Sequence, residues 1–412
     1  MNYKLLVIAL VVLGYAYRAV LELMQLRSAQ NPTPENVADV YDGPTYLRWQ
    51  AYLKEKSRLN LYSVAVSLTV TVVLLATNAH AAFASLFPEV WMGQICGVLL
   101  LQNIADLLVQ LPFSYIHTMV IEEKYGFNRS SLKTFLFDQL RSFLLGLALS
   151  FFLMYLLAVL HIRLGHWLIL LFAAVVFAFS LVISFFYPYL SRIGNKFTPL
   201  EDGELKDKLL ALLEKHGYRV KAIQVMDASR RTTKLNAYFT GFGKLKTIVL
   251  YDNLVNGMTT EEICAVFAHE LGHGLHKDVL KHQVLSIGNL LLMALTVWGT
   301  LQLPMAYVAF GFTGYHYGFS YILLDAALSV LQPLTGLGMN CVLRRDEFAA
   351  DRQAVEEGYG PAMVQGLKKL ARENFAHLAP SRALVLLEYS HPPLSQRIAA
   401  VEALQHSREG KE

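Results

Sequence analysis

The chain has 412 residues, 54% of them hydrophobic and only 17% charged, with a formal net charge of +4. A mean hydropathy of +0.38 is too high for an ordinary soluble domain of this length, so the composition excludes a purely aqueous protein and points to a membrane. No basic-aromatic patch accompanies the weak positive bias, which argues against a nucleic-acid partner, and three cysteines without CxxC spacing (Cys96, Cys264, Cys341) suggest packing residues rather than a disulfide framework or thiolate metal site.

Seven apolar stretches are long enough to cross a hydrocarbon core of about 30 Å. They cover residues 3–26, 61–86, 91–116, 134–160, 166–190, 284–310 and 319–342. The first is long and lacks a small-residue cleavage site, so it reads as a retained anchor rather than a signal peptide. Pro304 is expected to end or interrupt the sixth, and Pro333 with Gly336 the seventh. Loops after the odd-numbered spans carry Lys and Arg (Arg27 and Lys54, Lys124 and Arg129, Arg192 and Lys196, Arg344 and Arg345), whereas those after spans two and six have none. The positive-inside rule then places the odd-loop side, and everything soluble that follows span five, in the cytoplasm.

The expected organisation is therefore a predominantly α-helical multi-pass membrane protein. Residues 1–190 hold spans one to five, 191–283 the first part of a cytosolic catalytic domain, 284–342 spans six and seven, and 343–412 the rest of that domain. Within the first soluble part, ELKDKLLALLEKHG has apolar residues at helical spacing and a terminal Gly217 as a stop. YRVKAIQVMD and KTIVLYDNLV read as strands, with LNAYFTGFGK between them as a third strand or a tight loop carrying Gly241 and Gly243. These make a small β element beside a helix that opens at Thr259 or Thr260, with acidic residues in its first turn.

That helix carries His269-Glu270-Leu271-Gly272-His273. Histidines four apart share one helix face, so both imidazoles can reach one Zn²⁺, and Glu270 between them is placed to take a proton from water activated there. Gly272 and Gly274 are expected to leave room near the metal. Catalytic zinc usually takes three protein ligands and keeps an open position. In RRDEFAADRQAVEEGYG, Glu347 and Asp351 lie four residues apart, Glu347 as the third ligand and Asp351 to hold a ligand imidazole from behind. Taken alone, the same residues fit a solvated helix with charge pairing to Arg344, Arg345 and Arg352. His276 is a competing ligand, and its neighbours Lys277 and Asp278 suggest a helix reaching solvent.

HELGHGLHKD, EFAAD, NAYFTGFGK, YSHPPLSQRI and the EExxGFN-like IEEKYGFNRSSLKTFLFDQL together resemble the type I CAAX prenyl proteases, integral-membrane zinc metalloproteases, over most of the chain. The resemblance implies His269, His273 and Glu347 as zinc ligands, Glu270 as general base and acid, and Asp351 orienting one of the histidines. It further implies Asn236 on the substrate backbone, His391 stabilising the oxyanion, and Arg397 supporting the substrate cleft. It implies a zincin-like domain at the cytosolic end of a seven-helix barrel whose chamber would account for Asn103, Asp106 and Asp325 in apolar spans, although a bundle with paired polar groups fits the same residues. The substrate expected is a prenylated CAAX-type carboxyl terminus or another membrane-associated peptide, in the endoplasmic reticulum or a bacterial inner membrane. The alternatives are a broad-specificity quality-control peptidase and, from another class, a scaffold or transporter with a structural metal.

Overall fold

The computed structural model describes residues 2–190, 192, 194–240 and 247–410. Among the described residues six helices are long and apolar enough to cross a membrane: Tyr3–Ser28, Gly43–Ala76, Trp91–Glu122, Leu132–Leu164, Asp278–Leu301 and Tyr317–Glu356. Only 11–28% of each apolar window is buried, so most of this surface faces outward, as lipid contact requires. Where the fifth span was expected, the helix Leu168–Leu190 contributes a shorter apolar stretch, Leu171–Phe186. The chain is thus an integral membrane protein with mostly helical structure.

Hydropathy locates these helices better than it locates their ends. The second begins at Gly43, capped by the Asp42 side chain on Thr45 N at 2.8 Å, so a polar amphipathic stretch precedes its apolar part. It stops at Ala76 because Asn78 takes a left-handed conformation (φ 56°) and starts the short helix Ala79–Ala84. Pro304 behaves as expected, with the helix ending at Leu301 and a new short helix, Pro304–Val308, opening at the proline. Pro333 and Gly336 do not interrupt their helix, which runs unbroken from Tyr317 to Glu356. It packs against the first, third and fifth of the long helices, support that lets a membrane helix carry a proline. One rod therefore leads from the apolar region directly to Glu347 and Asp351.

The soluble part holds a four-stranded sheet of β1 (Phe197–Pro199), β2 (Ala222–Met226), β3 (Ala237–Thr240) and β4 (Thr247–Tyr251) in the order β1-β2-β4-β3. β2 and β4 are parallel, while β3 is antiparallel to β4 and forms one edge. The stretch beginning at Asn236 is thus a strand; Gly241 and Gly243 lie outside the described residues. The three-residue β1 was not expected. The helix Glu204–Lys215 ends as its sequence indicates, with Gly217 at φ 58°.

Helix Thr260–Leu275 is the centre of the soluble part. Thr259 and Glu262 form a reciprocal capping box at its start. One face, with Ile263, Phe267 and Leu271, shares a core with Leu209, Ile248 and Leu250 of the sheet layer. The other, with Ala265 and Ala268, packs on Ala354, Met363, Leu367 and Ile398. Gly272 serves this packing rather than a metal, because a Cβ there would lie 3.0 Å from Ala350 Cα. Gly274 likewise makes room for the Tyr218 ring, whose hydroxyl would be 2.4 Å from an added Cβ. Of the cysteines, Cys264 is buried and Cys96 half-buried, but Cys341 is exposed.

Polar residues inside the apolar region divide into two groups. Asp106 and Asp325 line a cavity of about 220 Å³ with Arg18, Gln102 and Gln110. Asn103 spends its amide on Leu99 O of its own helix at 2.8 Å.

Candidate metal centre

His269 and His273 project from the buried helix toward Glu347 on the long helix, and these three residues each offer a ligand atom within 4.8 Å of one another. His269 Nε2 lies 3.6 Å from Glu347 Oε2, and His273 Nε2 lies 3.3 Å from Glu347 Oε1. His276 is not part of this group.

Both imidazoles are held from behind. His269 Nδ1 bonds Asp351 Oδ1 at 2.8 Å, and Asp351 also accepts from Arg397 Nε and Nη2 at 2.8 and 2.6 Å. His273 Nδ1 bonds Asp278 Oδ2 at 2.8 Å. A carboxylate on each Nδ1 leaves Nε2 facing the shared centre in the tautomer that a metal needs. Asp278 was missed as a functional residue. It is 1% exposed, not solvated, and reaches back because Lys277 adopts a left-handed conformation (φ 58°) that reverses the chain between two helices. Lys281 bonds the other oxygen of Asp278 at 2.7 Å and fixes the carboxylate.

The residues fit a divalent cation. Glu347 Oε2 is buried and accepts no hydrogen bond, although Arg397 Nη1 stands 3.3 Å away, so one carboxylate oxygen at the centre remains short of a partner. Two imidazoles and a carboxylate are a donor set suited to zinc or a similar metal. Burial works against protonating His273, but Glu347 and Asp278 outweigh it and push its pKa up to about 9. That preference for positive charge is what a metal ion would satisfy.

Glu270 projects from the helix between the two histidines and is partly open to solvent. Burial pushes its pKa above the ordinary carboxylate value, while the charges of His269, His273 and Arg397 limit the rise. His391 sits on an exposed loop with Nε2 3.3 Å from Glu347 Oε1 and Nδ1 2.9 Å from Ser390 Oγ. Arg344 Nη1 anchors that loop by bonding Tyr389 O at 2.6 Å. Arg397 is seated behind the ligands, against Asp351 and Glu347. Asn236 precedes the edge strand β3, which packs against the His269 helix, and is exposed; its own hydrogen bonds run to Tyr251 and Ala237 rather than to the cluster.

We expect Asp278→Ala to weaken zinc binding by about 10- to 100-fold, since a ligand imidazole loses the group that orients it. Zinc competition with a fluorescent chelator checks this, and an unchanged affinity would show that His273 needs no such support.

Two protein-family models match the chain: CAAX prenyl protease N-terminal, five membrane helices, over residues 22–192, and Peptidase family M48 over residues 199–405. A CAAX prenyl protease 1 homolog of Oryza sativa subsp. japonica is 31% identical, with 98% of each chain covered. CAAX prenyl protease 1 of Saccharomyces cerevisiae is 26% identical over 98% of this chain and 96% of its own length. The crystal structure of S. mikatae Ste24p superposes with a TM-score of 0.91 at 25% identity, covering 98% of this chain and 99% of that one.

Proposed function

Because this chain belongs to peptidase family M48 among the CAAX prenyl proteases, and is therefore a membrane metalloendopeptidase, we propose that it uses one zinc ion, held by His269, His273 and Glu347, to cut near the carboxyl terminus of prenylated CAAX-type peptides. The observation that carries this is the three-donor cluster with Glu270 between its histidines and an orphaned Glu347 oxygen at its centre. When bound, zinc supplies Lewis acidity, polarising a carbonyl and bringing the pKa of water to about 7.

Every other part of the reaction falls to the chain's own side chains. Glu270 accepts the proton of the attacking water and delivers it to the leaving amine, a role its raised pKa favours. His391, close to Glu347 on an exposed rim, donates to the developing oxyanion. Asn236 hydrogen-bonds the peptide backbone, which lies along the free edge of β3 as an added strand. Asp351 orients His269, and Arg397 holds Asp351 and supports that wall of the cleft. The catalytic unit is assembled from residues 191–283 and 343–412 and faces the cytoplasm. Residues 1–190 and 284–342 supply seven membrane helices, the Leu168–Leu190 helix being the fifth. The polar cavities among them are the start of the enclosed chamber.

Purified protein should cleave a farnesylated CAAX peptide after the modified cysteine, at least tenfold faster than the unprenylated peptide at equal concentration. Equal rates would leave a broad-specificity quality-control peptidase. No cleavage of either peptide by zinc-loaded protein would point to a structural metal in a scaffold or transporter.

A further inference from the structure

A cavity of about 570 Å³ lies between the first and second long helices and the soluble part, and reaches the segment where the chain enters β3. Lys56, Lys234, Asn374 and Phe375 line this end of it, while Glu22 and Glu388 also face it. The two lysines are in different situations. Lys234 Nζ is committed to Glu122 Oε2 at 2.9 Å and lies over the Phe127 ring at 4.8 Å. Glu122 is itself fixed by the Tyr52 hydroxyl, so Lys234 is a positioned cation with donor capacity remaining. Lys56 has no ion pair or hydrogen bond among the described residues, and its Nζ lies 5.7 Å from the centre of the Tyr52 ring. Glu22, on the same cavity, already accepts from Asn60 at 2.8 Å.

The backbone before β3 gives this cation site a direction. Asn374 brackets Leu235, accepting from its N–H at 2.9 Å and donating to its C=O at 3.1 Å, so strand pairing with a peptide cannot extend past Leu235. A peptide added antiparallel to β3, the more stable pairing, runs its carboxyl end toward the residues that precede the strand. Three residues beyond the cut bond span about 10 Å, and Lys234 stands two residues, about 7 Å, before Asn236. The end of such a peptide arrives at the cavity mouth, beside Lys234 and the unpaired Lys56.

We propose that Lys56, with Lys234 beside it, binds the free carboxylate at the substrate's carboxyl end and so sets how far from that end the chain is cut. This rests on the peptidase reading and adds to it a recognition element for a terminal carboxylate, distinct from the prenyl group.

The test uses full-length, zinc-loaded protein in lipid nanodiscs and two farnesylated peptides that differ only in ending as a carboxylate or a carboxamide. The wild type should cleave the acid with kcat/KM about 10- to 100-fold above the amide, mainly through KM, as a charged hydrogen bond implies. Lys56→Met should bring the ratio close to one, and Lys56→Arg should restore it. A ratio of one in the wild type, or a ratio untouched by Lys56→Met, overturns the carboxylate site while leaving the peptidase intact. Cleavage of neither peptide by the wild type overturns the peptidase reading and this inference with it.

Discussion

Glu270→Gln should lower kcat by about a thousandfold with zinc content unchanged and KM nearly so. Glutamine keeps the size and the hydrogen-bonding capacity of the side chain but cannot accept the proton that water must lose. General base and acid catalysis by one positioned group is worth about 10²- to 10⁴-fold, and the role proposed for Glu270 covers both directions. The three proposed ligands are other residues, so the metal should stay in place. Burial pushes the Glu270 pKa up, which strengthens it as a base toward the pH at which the enzyme works. Single-turnover hydrolysis of a farnesylated peptide, with zinc measured by elemental analysis, separates the two quantities. Activity within tenfold of the wild type would remove Glu270 from the mechanism, and lost zinc would make it a ligand or a prop for one.

The parts of this site that were legible from sequence depend on short-range geometry. His269 and His273 follow from the helical period, as do Glu347 and Asp351 on a second helix, and the structure brings all four together. Asp278 was not legible, because its approach to His273 depends on a left-handed Lys277, a conformation that a lysine adopts only when the surrounding packing imposes it. The same limit applies to the membrane region. Hydropathy responds to lipid contact and so marks the middle of a span, whereas helix ends are set by caps such as Asp42 and reversals such as Asn78. Pro333 misled for a related reason, since the lost hydrogen bond is tolerated where neighbouring helices enclose the rod. Lys56 and Lys234 are separated by most of the sequence between the second helix and the sheet, and only the fold places both on one cavity.

Asp351 carries two burdens that a pair of variants can separate. It accepts two hydrogen bonds from Arg397, whose side chain is only 12% exposed, and it holds His269 Nδ1. Asp351→Ala leaves the buried guanidinium with only the Glu347 carboxylate, 3.3 Å away, so stability should fall by up to about 3–5 kcal/mol, the cost of breaking a buried pair from one side. Zinc affinity should fall in the same variant by about 10- to 100-fold, because His269 loses its tether. Exchanging both partners, Asp351→Leu with Arg397→Met, removes the uncompensated charge and should return most of the stability, as apolar replacement of buried ion pairs does elsewhere. It should not return the zinc affinity, since no carboxylate then faces His269. Thermal unfolding of the zinc-free protein reads the first quantity and chelator competition the second. Recovery of both in the double variant would mean that the carboxylate acts only by balancing Arg397. Recovery of stability alone would establish that the Asp351–His269 bond prepares the imidazole for the metal, independently of what holds the helices together.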